Sequence, residues 1–212
     1  MAPPTYSQTL QTPRLVVQLF NPSRPEHYTD QLSFMNSATL NKLRGPAPTI
    51  TAQDIDDKAN RHYLSRETCT KLGEEIDPPS HPYHLIYLRD SDGKAGTYIG
   101  GVSLFHRKKT GLMPDLGWGL LSDDYEGKGY GTEAVRAVLD FWREEIGVQE
   151  IWALTGATKM SSRRLCEKIG FIDGGVLTLK MRDGEIKDLV AFMLPGMSRL
   201  EGNFQTTMQD LM

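Results

Sequence analysis

Leu120-Leu-Ser-Asp-Asp-Tyr-Glu-Gly-Lys-Gly-Tyr-Gly-Thr-Glu-Ala134 decides the fold. It reads as the end of a strand, a glycine-rich loop and a helix that starts near Thr132. Gly127, Gly129 and Gly131 alternate with Lys128 and Tyr130. Glycine has no Cβ, so it tolerates positive φ and lets a ligand approach the main chain. Successive N–H groups can then converge on an anion, backed by the unpaired first-turn donors and positive dipole end of the helix. A phosphate-binding loop is the expectation. The P-loop pattern is excluded, because no glycine is separated by four residues from a following Gly-Lys-Ser/Thr. The dinucleotide pattern G-x-G-x-x-G can be read onto Gly129, Gly131 and Ala134, with alanine an allowed third residue. Its place past the middle of the chain, after a strand with two glycines, argues against that reading.

Outward from the loop, Asp115 to Leu121 is a strand. Glu133 to about Ile146 sets Ala134, Val135, Val138, Leu139, Trp142 and Ile146 on one face at helical spacing. Gly147 stops that helix, and Glu150 to Thr155 is the next strand. Strand, helix and strand form a βαβ unit with parallel strands and a right-handed crossover. Further on, Ser161 or Ser162 caps a short helix that closes at Gly170 with Phe171 as its apolar contact. Gly175 to Lys180 and Lys187 to Leu194 make a hairpin around Arg182-Asp-Gly184.

Upstream, Arg14 to Phe20 is a strand. Glu26 to about Arg44 reads as one helix, ended by Gly45-Pro-Ala-Pro48. Thr51 and Asp54 make a capping box for a second helix that turns Ile55, Ala59 and Tyr63 inward. Asp77-Pro-Pro-Ser-His-Pro82 is a break. His84 to Leu88, Thr97 to His106 and the strand at 115–121 follow as an antiparallel meander. Residues 1–11 and 196–212 read as flexible ends around one domain at 12–195. The fold class is α/β (α+β), a single domain with a central mixed sheet and helices on both faces.

Composition narrows the partners. Among 212 residues the net charge is -3, so no strongly basic face is offered to nucleic acid. Arg107-Lys-Lys109 reads as a solvated strand end. Cys69 and Cys166 lack metal-ligand spacing and suit a reducing compartment, so a cytoplasmic protein without a metal is expected. No run of apolar residues is long enough for a membrane span.

Tyr125-Glu-Gly-Lys-Gly-Tyr-Gly-Thr-Glu-Ala134 resembles the pyrophosphate loop of the GNAT acyltransferase superfamily, closest to the branch of ribosomal-protein N-terminal acetyltransferases. Leu10-Gln-Thr-Pro-Arg-Leu15 resembles that branch's opening strand. Asp115-Leu-Gly-Trp-Gly-Leu120 resembles its central strand, and Ser162-Arg-Arg-Leu-Cys-Glu-Lys-Ile-Gly-Phe171 its second cofactor helix. The resemblance implies acetyl-CoA, or another acyl-CoA, and direct transfer to an amine of a small molecule or peptide. An O-acyltransferase and a non-catalytic acyl-CoA-binding domain are the alternatives on the same fold, and monomer and homodimer are both open.

It also implies site residues. Leu120, Leu121, Glu126, Gly127, Lys128, Gly129, Tyr130, Gly131 and Thr132 would hold the cofactor. A carboxylate at Glu126 cannot donate to phosphate, so backbone amides carry the task. Lys159 and Ser162 would serve from the second helix, Ser162 also as its cap. Gly117 and Gly119 flank Trp118, and a bulge there would part this strand from its parallel neighbour to admit the pantetheine arm. The competing reading is that they only relieve crowding against Trp118. Acyl transfer needs a base for the nucleophile and a proton source for the thiolate. Asp115 is the candidate base, on the same face as Gly117 and Gly119. His84 and His106 are secondary and expected to be solvated. Cys166 stands where relatives carry a proton-donating Tyr, and is equally readable as a buried apolar residue. The acceptor pocket is expected from the first two helices and the last hairpin, with His27, Tyr28, Tyr63 and Tyr83 as walls.

Overall fold

The structure, a computed structural model, describes residues 6–44, 48–61, 64–71, 74–107, 112–180, 185–199 and 206–207. His62, Tyr63, Lys108, Lys109, the turn at Arg182-Asp-Gly184, Gly45 to Ala47 and most of both chain ends lie outside these residues. The chain begins with β1 (Thr9–Gln11) and β2 (Leu15–Leu19), then α1 (Pro25–Met35), α2 (Ala38–Arg44) and α3 (Ala52–Arg61). A small hairpin, β3 (Thr70–Lys71) and β4 (Glu74–Glu75), precedes β5 (Tyr83–Arg89), β6 (Ala95–Arg107) and β7 (Leu112–Leu120). Then come α4 (Tyr130–Glu144), β8 (Trp152–Gly156), α5 (Met160–Lys168), β9 (Ile172–Lys180), β10 (Ile186–Met193) and β11 (Thr206–Thr207).

One nine-stranded mixed sheet runs in the order β1-β2-β5-β6-β7-β8-β10-β9-β11. Its pairs are antiparallel except β7 with β8 and β11 with β9. The expected βαβ unit is therefore present at β7-α4-β8. The period-two alternation of the strands feeds two cores. Leu15, Val17, Ile86 and Val102 face α4 and α5, whose Val138, Trp142 and Leu165 share that cluster. Val16, Leu85, Tyr87 and Phe105 face the other way, with Ile55 and Ala59 of α3 and with Phe34 of α1. Helices thus cover both faces. Each fully buried α4 side chain of Val or Trp size contributes on the order of 2 kcal/mol.

Several boundaries differ from the sequence reading. The single helix expected at 26–44 is broken at Asn36 and Ser37. The Asn36 side chain leaves the helical path to bond both polar groups of Ile50, accepting from its N–H at 2.8 Å and donating to its carbonyl at 3.0 Å. The flexible N-terminus ends earlier than expected, because Thr9–Gln11 pairs antiparallel with Gln18, Val17 and Val16. Thr206 and Thr207 likewise pair with Leu179 and Lys180. The capping box forms as read, with the Thr51 N–H donating to the Asp54 carboxylate at 2.8 Å. The close of α5 also forms as read: Gly170 has φ 93°, and the Phe171 N–H reaches the Cys166 carbonyl at 3.0 Å. Its start differs. Lys159 is the cap residue, and Ser162 sits inside the first turn.

Candidate functional site

The segment joining β7 to α4 holds a run of uncommitted donors. The Glu126 N–H donates to the Asp123 carbonyl at 3.0 Å, closing a short turn. Among the described residues, the next six N–H groups, Gly127 through Thr132, have no acceptor in the chain. The following one, of Glu133, reaches the Gly129 carbonyl at 3.0 Å. Gly127 and Gly129 adopt φ of 71° and 84°, a conformation that costs other residues of order 1 kcal/mol or more. Gly129 caps α4, so the helix starts at Tyr130 and not near Thr132. Three of the six free N–H groups are thereby first-turn donors of a 15-residue helix. Glu126, Gly127, Lys128 and Gly129 are exposed.

A clamp that the sequence reading missed fixes this loop. The Arg14 guanidinium donates to the Lys128 carbonyl at 2.9 Å and stands 4.7 Å over the Tyr130 ring. It also pairs with the Glu133 carboxylate at 2.6 Å. That carboxylate accepts from the Thr12 hydroxyl at 2.6 Å and from the Arg14 main chain at 3.0 Å. Burial raises the Glu133 pKa, but these donors outweigh it and hold the carboxyl below its ordinary value. The Thr12-Pro-Arg14 stretch was visible in the sequence as part of an opening strand. Its reach across more than a hundred residues was not.

Lys159 and Ser162 lie at the same end. Gly131 of α4 abuts Leu165, and the Arg136 side chain donates to the Lys168 carbonyl, so α4 and α5 run side by side in one direction. Their N-termini therefore share an end of the molecule. Lys159 is exposed there and Ser162 half-buried.

Below the loop, β7 and β8 pair at one position alone, Asp115 with Trp152. The Leu121 N–H donates to the Ile99 carbonyl at 2.8 Å, which makes these two a bonded pair of the antiparallel ladder. Bonded and non-bonded pairs alternate. Leu120 opposite Gly100, and Trp118 opposite Val102, therefore turn their N–H and C=O groups from β6 toward the side where β8 has parted. This corrects the expectation for Leu121. Its N–H is committed to Ile99, and its carbonyl accepts from the Thr39 hydroxyl at 3.3 Å. Trp118, not Leu121, shares the open edge with Leu120. The expected bulge is also absent, since β6 and β7 stay in register from Gly100↔Leu120 to Phe105↔Asp115. The strands part without it. The two glycines accommodate neighbours other than Trp118: a Cβ on Gly119 would fall 2.7 Å from the Phe34 ring, and one on Gly117 3.0 Å from the Ser103 hydroxyl.

A cavity of about 160 Å³ lies on that face, between β6, β7 and helices α1 and α3. Phe34, Lys58, Tyr83, Phe105 and Gly117 are among its walls. Tyr83 is the expected wall residue found there. His27 is buried elsewhere, its Nδ1 accepting from the Asn21 N–H at 2.9 Å, and Tyr28 donates to Asp56 at 2.8 Å. Among the described residues of the β9–β10 hairpin, none lines this cavity. A larger one, about 400 Å³, opens beside Phe20, Asn21 and His81. Among the described residues it borders none of β7, and it sits at the opposite end of the sheet from the glycine loop.

Asp115 is half-buried on β7, two and four residues before Gly117 and Gly119, and so shares the cavity's face. Cys166 is fully buried in the core, and burial pushes its thiol up to about 12. A proton held that firmly, away from solvent, does not suit a leaving-group acid, so the apolar reading of Cys166 replaces the catalytic one. His84 is not solvated either. It is 1% exposed, edge-on to Phe141 and Trp142, and burial pushes its pKa down to about 3. Among the described residues no cluster of three metal-ligating side chains occurs, and no helix is long and apolar enough to cross a membrane.

A mixed sheet parted beside a glycine loop is the scaffold that carries this site. The sequence places it: residues 17–172 match the model of the acetyltransferase (GNAT) domain, and the chain belongs to that family. The Bacillus subtilis (strain 168) protein named Probable N-acetyltransferase YjcK is 32% identical over 111 residues, 52% of this chain and 59% of that protein. The chain thus matches somewhat over half the length of this relative. Among solved structures, a GNAT-family acetyltransferase from Bacillus anthracis shares the fold with a TM-score of 0.58 at 19% identity, over 88% of this chain and 97% of the other. The ribosomal-protein-S5-alanine acetyltransferase of Vibrio fischeri gives 0.56 at 16%, over 87% and 94%. RimL, a ribosomal L7/L12 α-N-protein acetyltransferase solved with coenzyme A, gives 0.57 at 13%, over 86% and 94%.

Proposed function

We propose that this protein is an acyl-CoA-dependent N-acyltransferase that uses acetyl-CoA to acylate an amine of a small molecule or peptide. The observation that carries this reading is the run of six free N–H groups at Gly127–Thr132, standing above a sheet edge with free N–H and C=O groups. The residues fit the cofactor. Six amides and a helix N-terminus suit a pyrophosphate. The main chain of Trp118 and Leu120 suits an arm with two amides, in the manner of an added strand. Lys128 and Lys159 stand as exposed cations at the same end, and Ser162 adds a hydroxyl. When bound, acyl-CoA supplies an electrophilic thioester carbonyl and a thiolate leaving group.

The chain's own residues do the rest. The cavity reaches β7 at Gly117 and Trp118, where the open edge begins, so the acceptor amine is held there. Asp115 takes the ammonium proton, which frees the nitrogen lone pair for attack. The Trp118 N–H receives developing negative charge, leaving the Trp118 carbonyl and the Leu120 main chain to the arm. No protein acid is assigned to the thiolate, since Cys166 is buried. The two buried free cysteines suit a reducing compartment, and the cytoplasm is the proposed location.

Incubation with acetyl-CoA and a panel of amines, followed by free thiol, tests the reading. Mass spectrometry of the product should show the acyl group on nitrogen. Thiol release that no amine or peptide stimulates would refute the transferase assignment.

A further inference from the structure

Gln31 and Gly101 line the 160 Å³ cavity at one end, its floor, and the Tyr98 hydroxyl stands next to Gly101. Tyr98 is 8% exposed and its hydroxyl has no hydrogen-bond partner. Gln31 of α1 is 4% exposed, lines the cavity, and makes no hydrogen bond through its carboxamide among the described residues. Both converge on Gly101. A Cβ placed there would stand 3.9 Å from the Gln31 oxygen and 4.0 Å from the Tyr98 hydroxyl. A buried hydroxyl without a partner costs about 1–3 kcal/mol. One such hydroxyl, and beside it a carboxamide that faces the cavity without a hydrogen bond among the described residues, describe a place prepared for a polar guest.

The surrounding charge selects that guest. The Asp30 carboxylate accepts from the Tyr87 hydroxyl at 2.6 Å, and the Tyr87 ring lies 5.5 Å from that of Tyr98. A fixed negative charge one ring away disfavours an anion at the floor. Lys58, also a wall of the cavity, has its ammonium 5.1 Å over Phe105, four residues further along β6 than Gly101. Ser103 opposite Gly117 marks the level at which the amine is held, and Gly101 opposite Gly119 marks the floor. Two residues of strand span about 7 Å.

Resting on the acyltransferase reading, we propose that Tyr98 and Gln31 form a specificity subsite for the acceptor. It takes amines whose tail ends, about 7 Å from the nitrogen, in an uncharged oxygen function such as a hydroxyl or an amide. Tyr98 donates to that oxygen, and the Gln31 carboxamide completes its hydrogen bonding.

The test measures binding by thermal shift for 4-aminobutanol, 4-aminobutanoate and pentylamine, with the wild type and with Tyr98→Phe. 4-Aminobutanol at ten times its dissociation constant should raise the wild-type Tm by about 3 °C. The other two amines should bind roughly ten-fold more weakly, a loss typical of one unmet hydrogen bond. Tyr98→Phe should fold at least as stably, because it deletes an unpaired hydroxyl, and should lose the preference for 4-aminobutanol. Equal binding of the three amines, or a preference retained by Tyr98→Phe, overturns the subsite. Thiol release from acetyl-CoA, measured in parallel, reports on the transferase reading alone. Selective binding without turnover leaves the subsite standing and sinks that reading; turnover without selectivity does the reverse.

Discussion

Replacing Glu133 by Gln should loosen the glycine loop and lower stability together. The carboxylate accepts from the Thr12 hydroxyl and the Arg14 N–H, and pairs with an Arg14 side chain that is 48% exposed. Gln keeps a neutral oxygen for the Thr12 hydroxyl and the Arg14 N–H, which share Oε1, but turns an amide donor toward the Arg14 guanidinium at the Oε2 position. Hydrogen bonds to a charged acceptor exceed neutral ones by about 1 kcal/mol each. The half-exposed ion pair adds little after screening. The two main-chain and hydroxyl bonds then set a loss of about 2 kcal/mol, or a fall in Tm of about 6 °C for a chain of this size. The sign with pH follows from the lowered carboxyl. Its contribution is complete above the unfolded value of about 4.3 and disappears as pH falls through the folded one. Calorimetric melts of wild type and Glu133→Gln should therefore differ at pH 7 and converge in acid. Because Arg14 also holds the Lys128 carbonyl, titration calorimetry should show weaker coenzyme A binding by the variant. A Tm difference below 1 °C at pH 7, or melts that stay parallel down to about pH 3, would refute the clamp.

Gly129→Val sets a β-branched residue at φ 84° with its Cβ 3.3 Å from Arg14, and coenzyme A affinity should fall at least about 100-fold in a variant that stays folded by circular dichroism. Asp115→Asn should slow acetylation at neutral pH while leaving acetyl-CoA binding intact, and unchanged turnover from pH 6 to 9 would remove the base. His84→Met should flatten the acid limb of stability. The folded state refuses a proton that the unfolded chain binds below about pH 6.5, so the wild type loses up to about 1.4 kcal/mol per pH unit from there down toward 3. Urea melts with the same pH slope in both proteins would show that the buried imidazole is not the source.

The sheet, the βαβ unit and the glycine loop were legible because each is written in local periodicity or in glycine placement. Val135, Val138 and Trp142 of α4 are buried as their spacing required. What was hidden depended on partners distant in sequence. Asn36 is an ordinary helix residue until Ile50 is beside it. Arg14 is a strand-end charge until Glu133 arrives, and Gly119 gives no hint of Phe34. His84 reads as solvated because it is a polar letter at a strand's start, whereas its position on β5 faces Phe141 and Trp142. Cys166 was ambiguous for the opposite reason, since reactive and inert cysteines share one letter and differ in surroundings.

The single pair between β7 and β8 bears on how the molecule breathes. Within the large sheet, β1, β2, β5, β6 and β7 form one laddered block and β8, β10, β9 and β11 another, stitched together at Asp115 and Trp152. α4 and α5 bridge them by side-chain packing, which tolerates small tilts better than a hydrogen-bonded ladder does. In the free protein the blocks can exchange amide protons as separate cooperative units. A guest laid along the Trp118–Leu120 edge would act as mortar between them, so that filling one slot stiffens the far strands β9 and β10 that it never touches.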